Sequence, residues 1–184
     1  GNIDVVLVQT DAGGKITDFG SGEVQAVYIS GNVRNPFEAY MKAPSKDFDW
    51  DGEKNYPSPD YLSSSRKRLA PQLLYKGGII KKWGKKQAIF LNTGFYNTLP
   101  ALPEVPKEQA DIAWFVYDLK KDPTEKRYKL VRTKTVYTKF EAAMTKITVA
   151  EPGNVADFLK VAQKKHDETK AKKAKAAKAK GAGN

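Results

Sequence analysis

Cysteine is absent from the 184 residues. That excludes disulfides, zinc ribbons and thiol nucleophiles, and it suits a reducing, cytoplasmic setting. Histidine occurs once, at His166 beside a lysine run. His/Cys metal sites and serine–histidine catalytic arrangements therefore lack their material. No apolar run approaches the roughly 18 residues of a membrane helix, and no signal-peptide pattern is visible, so a soluble protein with no membrane partner is expected. The Gly-rich stretches "DAGGK" and "YKGGIIKK" do not have the spacing of a phosphate-binding loop. Acidic residues are in the minority: 32 Lys and Arg face 21 Asp and Glu, for a net charge of +11. From Lys164 onward, eight lysines oppose only Asp167 and Glu168, a net of +6 that leaves +5 for the rest of the chain. This balance favours a polyanionic partner, nucleic acid before membrane. A plain solubility charge is the alternative.

Two β-rich runs open the chain, residues 3–10 and 16–30, with "DAGGK" between them supplying glycine for a turn. The chain begins at Gly1 immediately before a strand, which reads as a processed or truncated start with an upstream segment. Residues 31–60 are rich in Gly, Pro, Asn and Asp, carry Phe37, Tyr40, Phe48, Trp50 and Tyr56, and hold one short helix at "NPFEAYMK". A longer helix follows, capped by Asp60 or Ser58. Its apolar positions Leu62, Leu69, Leu73 and Leu74 recur at helical spacing, Pro71 sits within it, and Gly77 and Gly78 are expected to interrupt it. "QAIFLNT" reads as a short buried strand. "ADIAWFVYDLKK" reads as a central strand covered on both faces, with Trp114, Phe115, Tyr117 and the earlier Trp83 in the core. "RYKLVRTKTVYTKF" adds one or two more strands. After a cap at Gly153 or Asn154 an amphipathic helix is expected, with Val155, Phe158, Leu159, Val161 and Ala162 facing inward. The Lys/Ala-rich tail, residues 164–184, has no face to bury and is expected to be flexible. The element order predicts a mixed α/β fold, with residues 1–163 as its domain.

The opening hairpin carries the most informative chemistry. Glu23 and Gln25 are two apart, so on a strand they leave the same face, and Asp4 enters on the preceding strand. Converging carboxylates are costly unless something neutralises them. Mg²⁺ suits that task, because a hard cation takes a couple of carboxylates, a backbone carbonyl such as that of Val24, waters and a phosphate. An ion so held polarises a phosphodiester. Gln25 would orient the attacking water or a phosphate oxygen. Polar alternation is equally ordinary on a half-exposed sheet face, and Asp18, placed on a loop before the strand, is a rival acid.

The run "NIDVVLV…GKITDFGSGEVQAVYISGNVRNPF" resembles the core of PD-(D/E)xK nucleases in the variant with Gln in place of Lys. More closely, it is similar to the NotI-type family of type II restriction endonucleases. "KRLAPQLLYKGGIIKKWGKKQAIFLNTGFYNTLP", "ADIAWFVYDLKKD" and "YKLVRTKTVYTKFEAA" continue that similarity in the same order, from Asn2 to about Gln163. The resemblance implies a restriction-endonuclease-like core: a central mixed sheet that begins with a β-hairpin and is flanked by helices. It implies Asp4 as first acid, Glu23 as second and Gln25 in the lysine position. These would bind Mg²⁺ (Asp4, Glu23 and the Val24 carbonyl) for hydrolysis of double-stranded DNA by a homodimer. Ile3 stands where the family pattern has proline. Gln25 carries no charge, so activation of the water falls to the ion or another base.

Basic residues surround these motifs. Arg66, Lys67 and Arg68 near a helix start, and Lys81, Lys82, Lys85 and Lys86 after it, are candidate phosphate contacts; a solvated face is the alternative. Arg34 and Asn35, with Asn32, directly follow the Glu-x-Gln strand and carry the side chains that read guanine and adenine, although a capped turn explains them as well. A non-catalytic basic nucleic-acid-binding protein, or a basic component of a larger assembly, remains the alternative to an enzyme.

Overall fold

The computed structural model describes residues 2–50, 57–125, 127–149 and 152–181; Tyr56 lies outside them. The chain divides into two compact units, Gly1–Val149 and Ala150–Asn184. The first is a mixed α/β unit around a five-stranded sheet of order β1-β2-β5-β6-β7. Strands β1 (Val5–Thr10) and β2 (Ile16–Val24) form the antiparallel hairpin, with Val5 opposite Gly22 and Val8 opposite Phe19. Its turn is set by Asp11, whose Oδ1 accepts from the N–H groups of Gly13 (3.0 Å) and Lys15 (2.9 Å). Gly14 takes a φ of 82°, a left-handed conformation that favours glycine. Strand β5 (Gln87–Asn92) runs parallel to both β2 and β6 (Ile112–Lys121), and β7 (Tyr128–Thr138) closes the sheet antiparallel to β6. A separate two-stranded ribbon pairs β3 (Tyr28–Ser30) with β4 (Ser58–Asp60), and α1 (Arg34–Lys42) lies between them in sequence.

One face of the large sheet is covered by a helical segment over residues 61–82. It passes without a break through α2 (Tyr61–Ser64), a π-helical stretch (Ser65–Leu69), α3 (Ala70–Gln72), a second π-helical stretch (Leu73–Gly77) and α4 (Gly78–Lys82). Asp60 caps its start, accepting from the Ser63 N–H at 2.9 Å. Pro71 has no N–H for the regular ladder and crowds the preceding turn. Wider turns on both sides of α3 accommodate it, so the segment continues where a plain α-helix would kink. Gly77 and Gly78, expected as interruptions, are helical. Gly77 is buried against the sheet, where an added Cβ would stand 2.7 Å from Gln87 Oε1 and 3.0 Å from the Phe140 ring. The glycine serves close approach.

Beneath this segment Leu69, Leu73, Ile89, Leu91, Phe95, Ile112, Trp114, Val116 and Val136 form the core, with Ala143 and Met144 of α6 (Phe140–Thr148). The short helix α5 (Thr93–Tyr96) supplies Phe95. Trp114 Nε1 donates to Thr138 Oγ1 at 2.9 Å, so the one polar atom of the largest buried side chain is satisfied. Helix α6 has no side-chain cap of its own. Asp111 provides one from outside: its Oδ2 accepts from the Phe140 N–H at 3.0 Å and its Oδ1 from Lys81 Nζ at 3.0 Å. Burial works to raise the Asp111 pKa, but the Phe140 N–H and Lys81 outweigh it and hold it below 3.8. The same contact raises Lys81 above 10.5.

Several expectations are corrected. The second strand ends at Val24, not at residue 30; Gln25 makes one last ladder bond to the Phe90 carbonyl, and the chain then crosses to the small ribbon. Asp18 lies within β2 instead of on a loop. Leu62 and Leu74 are exposed, since the inward face follows Leu69, Leu73 and Ile80. Trp83 is exposed where α4 ends, edge-on to Phe19. In β6, Ala113, Phe115 and Tyr117 are only half-buried, because the helical layer covers the opposite face. Helix α6 was not expected. In the second unit, α7 (Val155–Gly181) carries Val155, Phe158, Leu159, Val161 and Ala162 exposed instead of inward, as its described residues form no second element to receive them. The Asn154 side chain accepts from the Ala156 N–H at 2.8 Å at its start. The helix continues through residues 164–181, a composition of strong helix formers. Among the described residues no helix is long and apolar enough to cross a membrane.

Two stability tests follow from these contacts. Thr138→Val leaves the Trp114 indole N–H buried without an acceptor and is expected to cost about 1–3 kcal/mol in chemical denaturation. Asp111→Asn is expected to destabilise by about 1–2 kcal/mol near neutral pH. Because the folded carboxyl titrates below its ordinary value, the gap between wild type and variant persists above 3.8 and closes as pH falls through the folded pKa. Denaturation midpoints measured down to low pH check both the size and the sign.

Candidate active site

Alternation along β2 sends Ser21 and Glu23, and Gln25 one residue beyond the strand, toward the covering helical segment; all three are buried. The parallel ladder sets Ser21 beside Gln87 and Glu23 beside Ile89. Gln25 extends that ladder, its N–H reaching the Phe90 carbonyl at 2.8 Å. A polar stripe thus lies under a helix, where apolar residues would be the usual choice.

The helix meets this stripe with matching chemistry. Lys76 Nζ lies 2.7 Å from Glu23 Oε2, with the side chains 17 % and 1 % exposed respectively. Gln25 Nε2 donates to Gln72 Oε1 at 2.6 Å. Residues 72 and 76 are one helical turn apart, about 6 Å. Residues 23 and 25 are separated by about 6.6 Å along an extended chain. The two spacings agree, so two polar pairs form side by side. Glu23 Oε1 and Gln25 Oε1 remain buried without a hydrogen-bond partner, as do Ser21 Oγ and Gln87 Oε1.

Asp4 reaches the same strand end from the hairpin's other arm. Its Oδ2 accepts from the Val24 N–H at 2.9 Å, next to Glu23 in the chain. Among the described residues no group of three or more His, Cys, Asp or Glu side chains is placed to hold a metal ion. Any ion here would therefore draw on Asp4, Glu23, the Gln25 amide oxygen and the Val24 carbonyl. That all-oxygen set, with two buried oxygens unsatisfied, suits a hard divalent cation. Asp18, the rival acid, is engaged elsewhere: Lys85 contacts it at 2.5 Å and lowers its pKa. It sits five residues up the strand from Glu23, about 17 Å away. Asp18 and Lys85 line an open depression of about 430 Å³ with Leu7, Phe19 and Gly84.

The basic candidates are dispersed in their contacts. Arg34 pairs with Glu38 at 2.5 Å on the exposed face of α1, and the Asn35 N–H is capped by Asn32 Oδ1 at 3.0 Å. Arg68 lies over the Tyr28 ring at 5.5 Å. Arg66, Lys67 and Lys82 are exposed, whereas Lys81 is held by Asp111. Lys86 Nζ reaches the Lys107 carbonyl at 3.3 Å. Lys76 and Gln72 are the residues that reading the sequence missed. Their signal was present: positions 69, 73, 76 and 80 share one helical face, so Lys76 falls among the inward leucines.

This hairpin, helical cover and parallel strand pair lie within the region matched by a known family. The family model described as "Restriction endonuclease NotI" matches residues 1–130. The chain belongs to the NotI restriction endonuclease family, whose members are type II enzymes that hydrolyse DNA at specific sites and generally need a divalent metal. No curated protein matches the chain.

Glu23 and Lys76 are expected to be strongly coupled. Lys76→Met alone strands a buried carboxylate and should cost about 3–5 kcal/mol, while the double variant Glu23→Gln/Lys76→Met recovers most of that. A double-mutant cycle by denaturation measures the coupling.

Proposed function

We propose that this protein is a Mg²⁺-dependent, site-specific endonuclease that hydrolyses both strands of double-stranded DNA as a homodimer. Its core is of the PD-(D/E)xK type, with Gln25 in the lysine position. The observation that carries this reading is the meeting at the end of β2. Asp4 is fastened to the Val24 N–H, and Glu23 and Gln25 each present an unsatisfied buried oxygen. Asp4, Glu23 and the Val24 carbonyl hold the ion. When bound, Mg²⁺ supplies positive charge at the scissile phosphate and a more acidic water. Gln25 orients the attacking water through its free amide oxygen, having given its Nε2 to Gln72. Arg66, Lys67, Lys82, Arg34 and Asn35 contact the DNA, and Arg68 and Lys81, already anchored to neighbouring groups, reinforce that surface by charge.

A second reading has its own support. Glu23 is already neutralised by Lys76, which is what a structural carboxylate in a non-catalytic basic nucleic-acid-binding protein would show. The two readings separate in one assay. Cleavage of long duplex DNA of mixed sequence is expected in Mg²⁺ and not in EDTA, and Asp4→Asn or Glu23→Gln should slow it by about 100-fold or more. Salt-sensitive binding without any cleavage would favour the second reading.

A further inference from the structure

Gln25 leaves a gap in that chemistry. As water adds to phosphorus and the bond to the leaving oxygen breaks, negative charge builds on the phosphate, and a lysine beside the second acid would answer it. Gln25 has no charge to offer, and one of its two Nε2 hydrogens is held by Gln72 at 2.6 Å. What it presents to the site is an acceptor.

A cation does stand at the site, but on a different element. Lys76 comes from the π-helical stretch Leu73–Gly77 of the covering segment, and its ammonium lies 2.7 Å from Glu23 Oε2. We propose that Lys76 is the cationic residue of this active site. In the ion-free protein it holds the Glu23 carboxylate; when ion and DNA are present it turns from Glu23 to the phosphate and supplies the charge that Gln25 lacks. This rests on the nuclease reading above. Lys76 keeps its protons throughout and acts by charge alone.

Three features carry the assignment. Lys76 is largely enclosed, so its ammonium is confined to the neighbourhood of the site instead of sweeping through solvent. Glu23 has one oxygen on Lys76 and the other, Oε1, without a partner, so the carboxylate can accept an ion on one side before it releases Lys76 on the other. The helix that carries Lys76 also fixes Gln25 through Gln72, which places cation, acid and amide in one constellation. Wide helical turns are frequent at functional sites, where they re-aim a side chain.

The test uses the full chain and Mn²⁺ as the probe ion, followed without DNA by the electron paramagnetic resonance of the free ion, beside single-turnover cleavage in Mg²⁺. Lys76→Gln is expected to bind Mn²⁺ several-fold tighter than wild type, because a competing positive charge is gone, and to cleave about 100-fold more slowly. Lys76→Arg, which keeps the charge, is expected to match wild type in Mn²⁺ affinity and to cleave about tenfold more slowly, since the bulkier guanidinium cannot take the same place. A merely structural lysine would leave cleavage by the folded, metal-loaded Lys76→Gln variant within about threefold of wild type. If Lys76→Gln cleaves within about threefold of wild type, or binds Mn²⁺ no tighter, while Glu23→Gln is inactive, the role of Lys76 is overturned and the nuclease reading stands. If Lys76→Gln does not fold, cleavage by Lys76→Arg as slow as that of Glu23→Gln overturns the proposal instead, since the retained charge then supplies nothing. A wild type that binds no Mn²⁺, or a Glu23→Gln variant that cleaves normally, removes the nuclease reading and this inference with it.

Discussion

A carboxylate shut away from water needs a partner, and the arrangement around Glu23 follows from that need. Taking an ionised group out of water is costly, and only a close opposite charge or several hydrogen bonds offset it. Lys76 provides the charge at 2.7 Å. To do so, the covering segment must lie at one height and one rotation on the sheet, because a shift of one residue would carry Lys76 off its inward face. Gly77 permits the close approach, and Asp60 and the Pro71-centred turns determine where the segment begins and how it is wound. The polar pair thus specifies the docking of a helix that the surrounding leucines would tolerate in several positions.

The same pair marks where local pattern and tertiary need disagree. A buried stripe of Ser21, Glu23, Gln25 and Gln87 is poor material for a core. Apolar residues at those positions would pack with less electrostatic cost. Conflicts of this kind between burial and polarity concentrate at functional sites. Membership of the NotI family gives this stripe a chemical context, since the match spans the hairpin, the covering segment and both parallel strands.

Much of the scaffold was legible in the sequence. The period-two runs located the hairpin and the later strands, and the mixed α/β class followed from their alternation with helical spacing. Period alone was misleading where glycine serves packing instead of punctuation, as at Gly77, and where a strand leaves one sheet for another, as after Val24. Trp83 shows a further limit: a large side chain faces inward only when some element lies opposite to receive it. The Glu-x-Gln face was legible because strand geometry alone dictates it. The Glu23–Lys76 and Gln25–Gln72 contacts were not, because residues 53 and 47 positions apart meet only once the helix is docked. Asp111 escaped notice for the same reason, as a cap supplied to α6 from a distant loop.

Strand β1 occupies the edge of the sheet and is exposed along its whole length. Yet it delivers Asp4, whose carboxylate is tied to the Val24 N–H at the end of β2. Edge strands open more readily than central ones. On the proposed nuclease reading, fraying of these few residues would detach Asp4 while Glu23, Gln25 and their helical cover stayed assembled. A molecule working in that way would fall silent well before it melts, with its working half-life governed by the weakest hem of the sheet and not by the strength of the core.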